Sequence, residues 1–418
     1  MAVLKKRTYT SAFEGARTLG RLLAPPGFKW EIELPRDSEE IPLILHISCN
    51  AHYTIFLPYL AQQILQALGA KFVILGGPES CCGSIHKNLG DADLEPEVAT
   101  KTLLHFKRAQ PKTVLSFCPD CDEVFEKYRL PGKSFHHANV SELFLAQLDA
   151  LRPKLKPVNK RVIVHFHDVN ERRKEDADRV MGLLREIPGL TILAARHSHG
   201  PGVHCQTVHP MLPEDQARMF AEARELGADA IVVPYHSCYR QHVKMQLEYG
   251  VETHHYFSIL AMSLGIPFDE PFKTLRLLGD LDAAMAMLRP KIEQMGYDEA
   301  VVRGFVERAI FCLPGATMSR EWSRLGTHDE FGDKIKLVEI GRQKIAVARL
   351  QGEIYAFNGL CPHAFGPMHR AEVEGTIVTC PLHAWRFDLQ DQGREIHDYR
   401  PLRVYEVKVE AGVVFVRL

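Results

Sequence analysis

The sequence predicts two fold classes in one chain: a duplicated α/β parallel-sheet region, then a small all-β domain. Three observations carry this. From residue 41 to about 265, short β-rich runs alternate with longer helical stretches, the pattern of a mostly parallel sheet. Within that region one block matches another further on. From 334 onward only short strand-like runs remain, punctuated by Gly and polar residues. The 418 residues leave room for two or three domains at roughly 150 residues each.

Residues 1–40, with Pro25, Pro26 and Pro35, read as an N-terminal extension with little chemistry. PLILHIS (42–48), KFVILGG (71–77) and TVLSF (113–117) read as buried strands. Each leads to cysteine: Cys49, the Cys81–Cys82 pair and Cys118. Between the first two, YTIFLPYLAQQILQALG (53–69) carries apolar residues at helical spacing. RVIVHF (161–166), LTILAA (190–195) and DAIVVP (229–234) repeat the pattern. TVLSFCPDC (113–121) lies over AIVVPYHSC (230–238), and VIL at 73–75 over TIL at 191–193, a duplication of about 120 residues within 41–265. Residues 266–330 read as a helix around LRLLGDLDAAMAMLRPKIEQM (275–295), then as a linker through LPGATMSREWSRLGTHDE. Over 331–418, KIKLVEI, QKIAVARL, EIYAFN, TIVTC, RVYEVKVE and GVVFVRL read as strands of a small barrel or sandwich.

Apolar residues make up 46% and charged residues 25%, which is ordinary for a globular protein. Lys plus Arg number 51 against 52 Asp plus Glu, so no charge excess points to nucleic acid or an anionic membrane. No stretch approaches the ~18 apolar residues of a transmembrane segment, and the N-terminus shows no export signal. The expected compartment is the cytoplasm. There, 10 clustered Cys beside 21 His read as metal ligands or redox thiols before disulfides.

Cys361-Pro-His363 is followed, after residues 364–379, by Cys380-Pro-Leu-His383. Two thiolates and two imidazoles on a pair of loops can hold a [2Fe–2S] centre with one iron on sulfur and one on nitrogen. Zinc accepts the same donors. With the CPLHAWRFDLQDQG continuation, the stretch resembles the Rieske family, in its ferredoxin-type branch. The resemblance implies that Cys361 and Cys380 bind one iron of a Rieske [2Fe–2S] cluster, and His363 and His383 the other. The respiratory branch has an extra Cys in each loop where this chain has Gly366 and Leu382. That places the centre toward the low end of the range of about −150 to +300 mV. Ala384 stands where the family usually has Gly after the second His.

In the first repeat the cysteines form the pattern C-x31-CC-x35-C-x2-C over Cys49, Cys81, Cys82, Cys118 and Cys121. Each group follows a predicted strand, at the edge where open α/β sheets build their sites. The pattern resembles the cysteine-rich CCG domain of heterodisulfide reductase and its relatives. The resemblance implies a [4Fe–4S] cluster on these five residues, which in that family can take the non-cubane form. A smaller or cubane cluster on four of them, and zinc, are the alternatives.

The second repeat departs from the pattern. The sequence alignment sets Asn170 against Cys49, Ser198-His199-Gly200 against Cys81-Cys82-Gly83, and Tyr235 against Cys118. Only Cys238 persists, against Cys121. A second five-thiolate cluster is not expected. His165, His167, His197, His199, His204 and His236 stand there instead, with Asp168, Cys205 and Cys238. Of these, His167, His199, His204, His236 and Cys238 form a candidate pocket for metal or substrate. His199 and His204 have an H-x4-H spacing, but residue 196 is Arg, and no oxygenase site is assigned.

No GxGxxG, P-loop or bacterial ferredoxin motif is present, so electrons are expected to come from or go to a redox partner protein: a flavoprotein, a ferredoxin or an oxidoreductase subunit. The leading expectation is an electron-transfer protein relaying between the two clusters. A disulfide reductase acting at the CCG cluster, and a zinc-bound or redox-sensing interaction protein, are the alternatives. No catalytic residue is assigned.

Overall fold

The structure, a computed structural model, describes residues 14–30, 42–77, 80–85, 94–128, 135–167, 171–198, 211, 213–311, 322–340, 343–361, 366–382, 384–391, 393–396 and 402–417. The chain divides into two compact units that adjoin in sequence at Pro314 and Gly315. Each has hydrophobic cores of its own.

In the first unit, strands β1 (Leu43–Ile47), β2 (Val73–Gly76), β3 (Thr113–Ser116) and β4 (His136–Asn139) form a parallel sheet in the order β2-β1-β3-β4. Strands β5 (Lys160–His167), β6 (Leu190–Ser198), β7 (Ala230–Val233) and β8 (Glu252–His255) form a second, in the order β6-β5-β7-β8. The same order twice is the duplication made structural. The central strands read as unbroken apolar runs because parallel sheets are covered on both faces. The edge strands β4 (HHAN) and β8 (ETHH) carry imidazole and amide side chains instead, so a search for apolar runs passes over them.

Helices follow the strands: α1 (Phe56–Ala67), α2 (Leu94–Arg108), α3 (Pro119–Lys127), α4 (Val140–Ala146), α5 (Glu171–Arg185), α6 (Pro213–Glu225), α7 (His236–His242) and α8 (Tyr256–Leu264). In α3, Cys118 takes the N-cap position, Pro119 opens the first turn, and Asp120 and Asp122 lie where the helix dipole favours acids.

The strand registers set the internal correspondence. Leu43 lies opposite Thr113, and Val162 opposite Ala230. His165 therefore stands where the first half has His46, His167 where it has Ser48, Tyr235 for Cys118, and Cys238 for Cys121. Counting on, the counterpart of Cys49 is Asp168, two residues before the Asn170 that sequence alignment chose. Both positions lie outside the described residues.

Two parts of the first unit differ from expectation. Residues 14–23 form a helix whose Leu19, Leu22 and Leu23 are buried in the main core, so this part of the N-terminal extension packs on the unit. Their i, i+3, i+4 spacing is the apolar stripe of a packed helix. The long helix expected over 275–295 is broken. Helix α9 (Pro271–Leu278) ends at Gly279, with φ +65°, and the Asp280 side chain caps α10 (Leu281–Met295) by accepting from Ala283 N–H. Helix α11 (Glu299–Val306) follows.

The second unit holds a six-stranded antiparallel sheet, in the order β10-β11-β12-β17-β18-β9, and a small one, β13-β14-β15-β16. The strands of the large sheet are β9 (Trp322–Thr327), β10 (Lys336–Ile340), β11 (Gln343–Leu350), β12 (Glu353–Asn358), β17 (Val404–Glu410) and β18 (Val413–Arg417). Those of the small sheet are β13 (Glu372–Glu374), β14 (Ile377–Thr379), β15 (Arg386–Asp388) and β16 (Arg394–Glu395). Strand β9 falls in the stretch read as linker. Its WSRLGT sequence lacks a clean alternation, but it pairs with β18 along its length.

Candidate metal centres

Strand order in the first sheet reverses between β1 and β3, and open α/β sheets place their sites in the crevice beyond the carboxyl ends there. Cys49 opens the turn after β1, Cys81 and Cys82 follow β2, and Cys118 and Cys121 begin α3 after β3. The Sγ atoms of Cys49 and Cys81 are 3.8 Å apart. Cys81 also meets Cys82, Cys82 meets Cys121, and Cys121 meets Cys118. The five sulfurs thus form a continuous array at one sheet edge. Gly83 fixes its corner: with φ +93°, it donates its N–H to Cys81 Sγ at 3.3 Å. A Cβ there would lie 2.7 Å from the Glu95 carbonyl oxygen, so only glycine fits.

The electrostatics of this array suit a cation. Adjacent buried sulfurs cannot all ionise together without a positive centre among them. The contact with Cys81, and then burial, raises the Cys49 thiol well above its ordinary value. Contacts with Cys118 and Cys82, and then burial, do the same to Cys121. At Cys82 the Cys121 contact works downward, but Cys81 and burial prevail and the thiol is raised. Cys118 goes the other way, to about 6, because Cys121 donates to it; His236 adds to the effect and burial opposes it.

A cavity lies over the sulfurs, lined among others by Cys49, Cys82, Cys118, Arg173 and His236. Arg173, on α5 of the second half, donates to Asp120 at 2.8 Å and to Glu123 at 2.9 Å on α3 of the first. Burial works to lower its pKa, yet Asp120 leads the neighbours that hold the guanidinium charged. Behind the Cys118–Cys121 turn, buried Asp122 accepts from Ser116 Oγ at 2.6 Å and from Asn139 Nδ2 at 2.8 Å, while burial raises its carboxyl. Sequence reasoning missed both residues. Arg173 sits in ERRKEDADR, which reads as a solvated charged face, and Asp122 reads as a routine first-turn acid.

The candidate pocket of the second half is divided. His236 belongs to the cavity over the first-half sulfurs, beside Cys118. His167 and Cys238 do come together, with Nε2 and Sγ 3.2 Å apart, and His165 joins them. His199 and His204, with Asp168 and Cys205, lie outside the described residues.

In the second unit, Cys361 follows β12, and Cys380 sits between β14 and β15; both are buried. Cys361 N–H donates to Gly366 O at 2.9 Å, and Cys380 N–H to Trp385 O at 2.8 Å, so each cysteine is tied into its own loop. His363 and His383 lie outside the described residues. Gly366 packs directly against the Cys380 sulfur, and a Cβ there would also come within 3.3 Å of Leu382 Cγ. Positions 366 and 382 are thus neighbours, and glycine leaves the sulfur its space.

Ala384 takes φ +56°, the left-handed region that costs a residue with a Cβ about 1–2 kcal/mol. Ala384→Gly is expected to remove that strain. Against glycine's larger unfolded-state entropy the net gain is about 0.5–1 kcal/mol, a rise of roughly 2–6 °C in the melting of the second unit. Loss of the cluster's visible absorption on heating would follow it, and a lower midpoint would contradict the strain.

Residues 321–406 match the family described as the Rieske [2Fe-2S] domain, and residues 43–126 the cysteine-rich domain CCG. The ferredoxin subunit of anthranilate 1,2-dioxygenase from Burkholderia cepacia is 33% identical over 100 residues, which are 23% of this chain and 93% of that subunit. The chain belongs to the Rieske family and also carries a CCG domain. On the CCG side, the probable iron–sulfur-binding oxidoreductase FadF of Bacillus subtilis is 27% identical over 150 residues, 34% of this chain. A subunit of the dihydromethanophenazine:CoB–CoM heterodisulfide reductase from Methanosarcina barkeri is 28% identical over 151 residues, again 34% of this chain. The CCG–Rieske chain spans 21% of the first of these relatives and 35% of the second. Among solved structures, the ferredoxin of carbazole 1,9a-dioxygenase from Nocardioides aromaticivorans IC177 is 25% identical, covering 23% of this chain and 95% of its own, with a TM-score of 0.22. No helix among the described residues is long and apolar enough to cross a membrane.

Proposed function

We propose that this iron–sulfur chain is an electron relay within a larger oxidoreductase system, passing electrons between a Rieske centre and a CCG-type [4Fe–4S] cluster. In this reading Cys361, His363, Cys380 and His383 hold the [2Fe–2S] centre, and Cys49, Cys81, Cys82, Cys118 and Cys121 the other cluster. The observation that carries it is the all-sulfur array at the β1/β3 crevice, in a chain that also bears a Rieske domain. Among the described residues, the one trio of ligand atoms within 4.8 Å is His165, His167 and Cys238. Five converging cysteines are one more than a four-coordinate zinc takes, which favours an iron–sulfur cluster at their array. Bound there, the cluster would supply one-electron chemistry; the chain's own contribution is a buried thiolate cradle backed by Asp122.

The other end of the relay is proposed to be a redox partner protein that docks on the Rieske side. A Rieske ferredoxin of the carbazole 1,9a-dioxygenase system has been solved in complex with its oxygenase. The cytoplasm is the proposed compartment, because it keeps clustered thiols reduced and free to bind metal.

Anaerobically purified protein is expected to be brown and to hold about six irons per chain, four in the CCG half and two in the Rieske centre. Reduction should produce a Rieske EPR signal, and rapid mixing with a one-electron donor should show one cluster filling through the other. Colourless, zinc-loaded protein would end the reading. Iron near ten per chain would show a further cluster in the second half.

A second reading, reduction of a disulfide at the same cluster, is favoured by the cavity with Arg173 and His236 at its wall. Two electrons and two protons would convert the disulfide to two thiols. Turnover of a disulfide with an artificial reductant, lost in Cys118→Ser, distinguishes it from a pure relay.

A further inference from the structure

The duplicated architecture builds the same crevice twice, and the second copy is furnished differently. The strand order β6-β5-β7-β8 reverses between β5 and β7, as β2-β1-β3-β4 does between β1 and β3. At that second switch point, His165 and His167 end β5, and Cys238 lies in the first turn of α7, just after β7. Residues two apart on a strand share a face, so both imidazoles emerge on the same side of the sheet. The three ligand atoms lie within 4.8 Å of one another, with His167 Nε2 and Cys238 Sγ at 3.2 Å. Exposure is 1% for His165, 2% for His167 and 0% for Cys238.

We infer that His165, His167 and Cys238 form a mononuclear zinc site at the second switch point, distinct from the five-cysteine array. Two imidazole nitrogens and a thiolate are donors that zinc accepts, and its bonds of about 2.0–2.1 Å to nitrogen and 2.3 Å to sulfur set ligand separations of about 3.3–3.6 Å. The His167–Cys238 pair, at 3.2 Å, stands close to that spacing, and the His165 ligand atom lies within 4.8 Å of both. His165 stands on the same strand face two residues before His167, with the two rings edge-on at 4.6 Å, so all three donors lie together. The first half offers the contrast. His46, at the place of His165, gives its Nε2 to the Ser80 carbonyl at 2.7 Å, and Ser48 stands where His167 would be. Around the second site, the His165 ring meets His242 edge-on at 5.3 Å, and His242 Nδ1 is held by Gln216 Nε2 at 2.8 Å. The ring contact with His242 limits how the His165 imidazole can turn. The site would clamp the end of β5 to the start of α7, across the gap between the two central strands.

The test is metal analysis with zinc-edge X-ray absorption on the full chain, purified anaerobically from zinc-supplemented medium. The expected result is about one zinc per chain beside the iron, with two nitrogens at about 2.0–2.1 Å and one sulfur at about 2.3 Å. In Cys238→Ala and in His167→Phe, zinc should fall at least about tenfold while iron content and the Rieske signal stay as they were. The absorption spectrum of the unaltered chain decides the matter even if a variant folds poorly. A zinc shell of sulfur alone would place the ion in the five-cysteine array and overturn the site. So would a chain without zinc, copper or iron in place of zinc at these ligands, or variants that keep their zinc.

Discussion

Cys81→Ser is expected to remove about four of the roughly six irons and to abolish the N-terminal cluster's signal, leaving the Rieske signal unchanged. Cys81 links Cys49 to the rest of the sulfur array: its Sγ lies 3.8 Å from that of Cys49, it touches Cys82, and it accepts the Gly83 N–H at 3.3 Å. A serine oxygen is a poorer partner for iron than a thiolate, and it lets go of both neighbours together. The Rieske cysteines, Cys361 and Cys380, are bonded within their own loops and packed in a separate core, so nothing in their setting depends on Cys81. Iron analysis and EPR on the same sample read both halves of this expectation. If the Rieske signal disappears with Cys81, the two centres do not assemble independently. If the N-terminal signal survives, Cys81 is not among its ligands.

Much of this was legible in the sequence, for a physical reason. Central parallel strands are covered on both faces, so LILHI, VILG and AIVV announce themselves as apolar runs, and the cysteines follow directly at the strand ends where α/β sheets gather their ligands. The edge strands HHAN and ETHH and the strand WSRLGT were not legible, because pairing partners rather than their own composition hold them in a sheet. The same limit applied to the sites. Cys-Pro-Asp-Cys shows two candidate ligands in one turn, but no local pattern shows that Arg173 reaches across from α5 to Asp120 and Glu123. Nor does any show that His236 leaves the second half's pocket for the first half's cavity. His165 and His167 did alternate visibly along a strand. What made them a trio with Cys238 was the β5–β7 adjacency, which only the fold supplies.

Splitting the chain at Pro314/Gly315 into two polypeptides should slow electron transfer between the clusters by about a thousandfold at micromolar protein, with each half keeping its own spectrum. The halves should survive the cut: each has hydrophobic cores of its own, and the Burkholderia ferredoxin subunit corresponds to the Rieske part almost alone, with 93% of its length matched. The covalent join is what the cut removes. Tethering makes the meeting of two centres intramolecular, at an effective concentration of about a millimolar for a short link, against about a micromolar for the mixed halves. The ratio of those concentrations gives the expected slowing, provided the halves do not bind each other tightly. Raising the concentration of one half should then restore the rate in proportion, which a structural defect in either half would not allow. The measurement is rapid mixing of reduced Rieske half with oxidised CCG half, followed at the Rieske absorption and compared with the intact chain. Equal rates for fusion and mixture at low micromolar concentration would show that the join contributes nothing to the relay. A rate that stays low however concentrated the partner half becomes would show that these two centres do not exchange electrons directly.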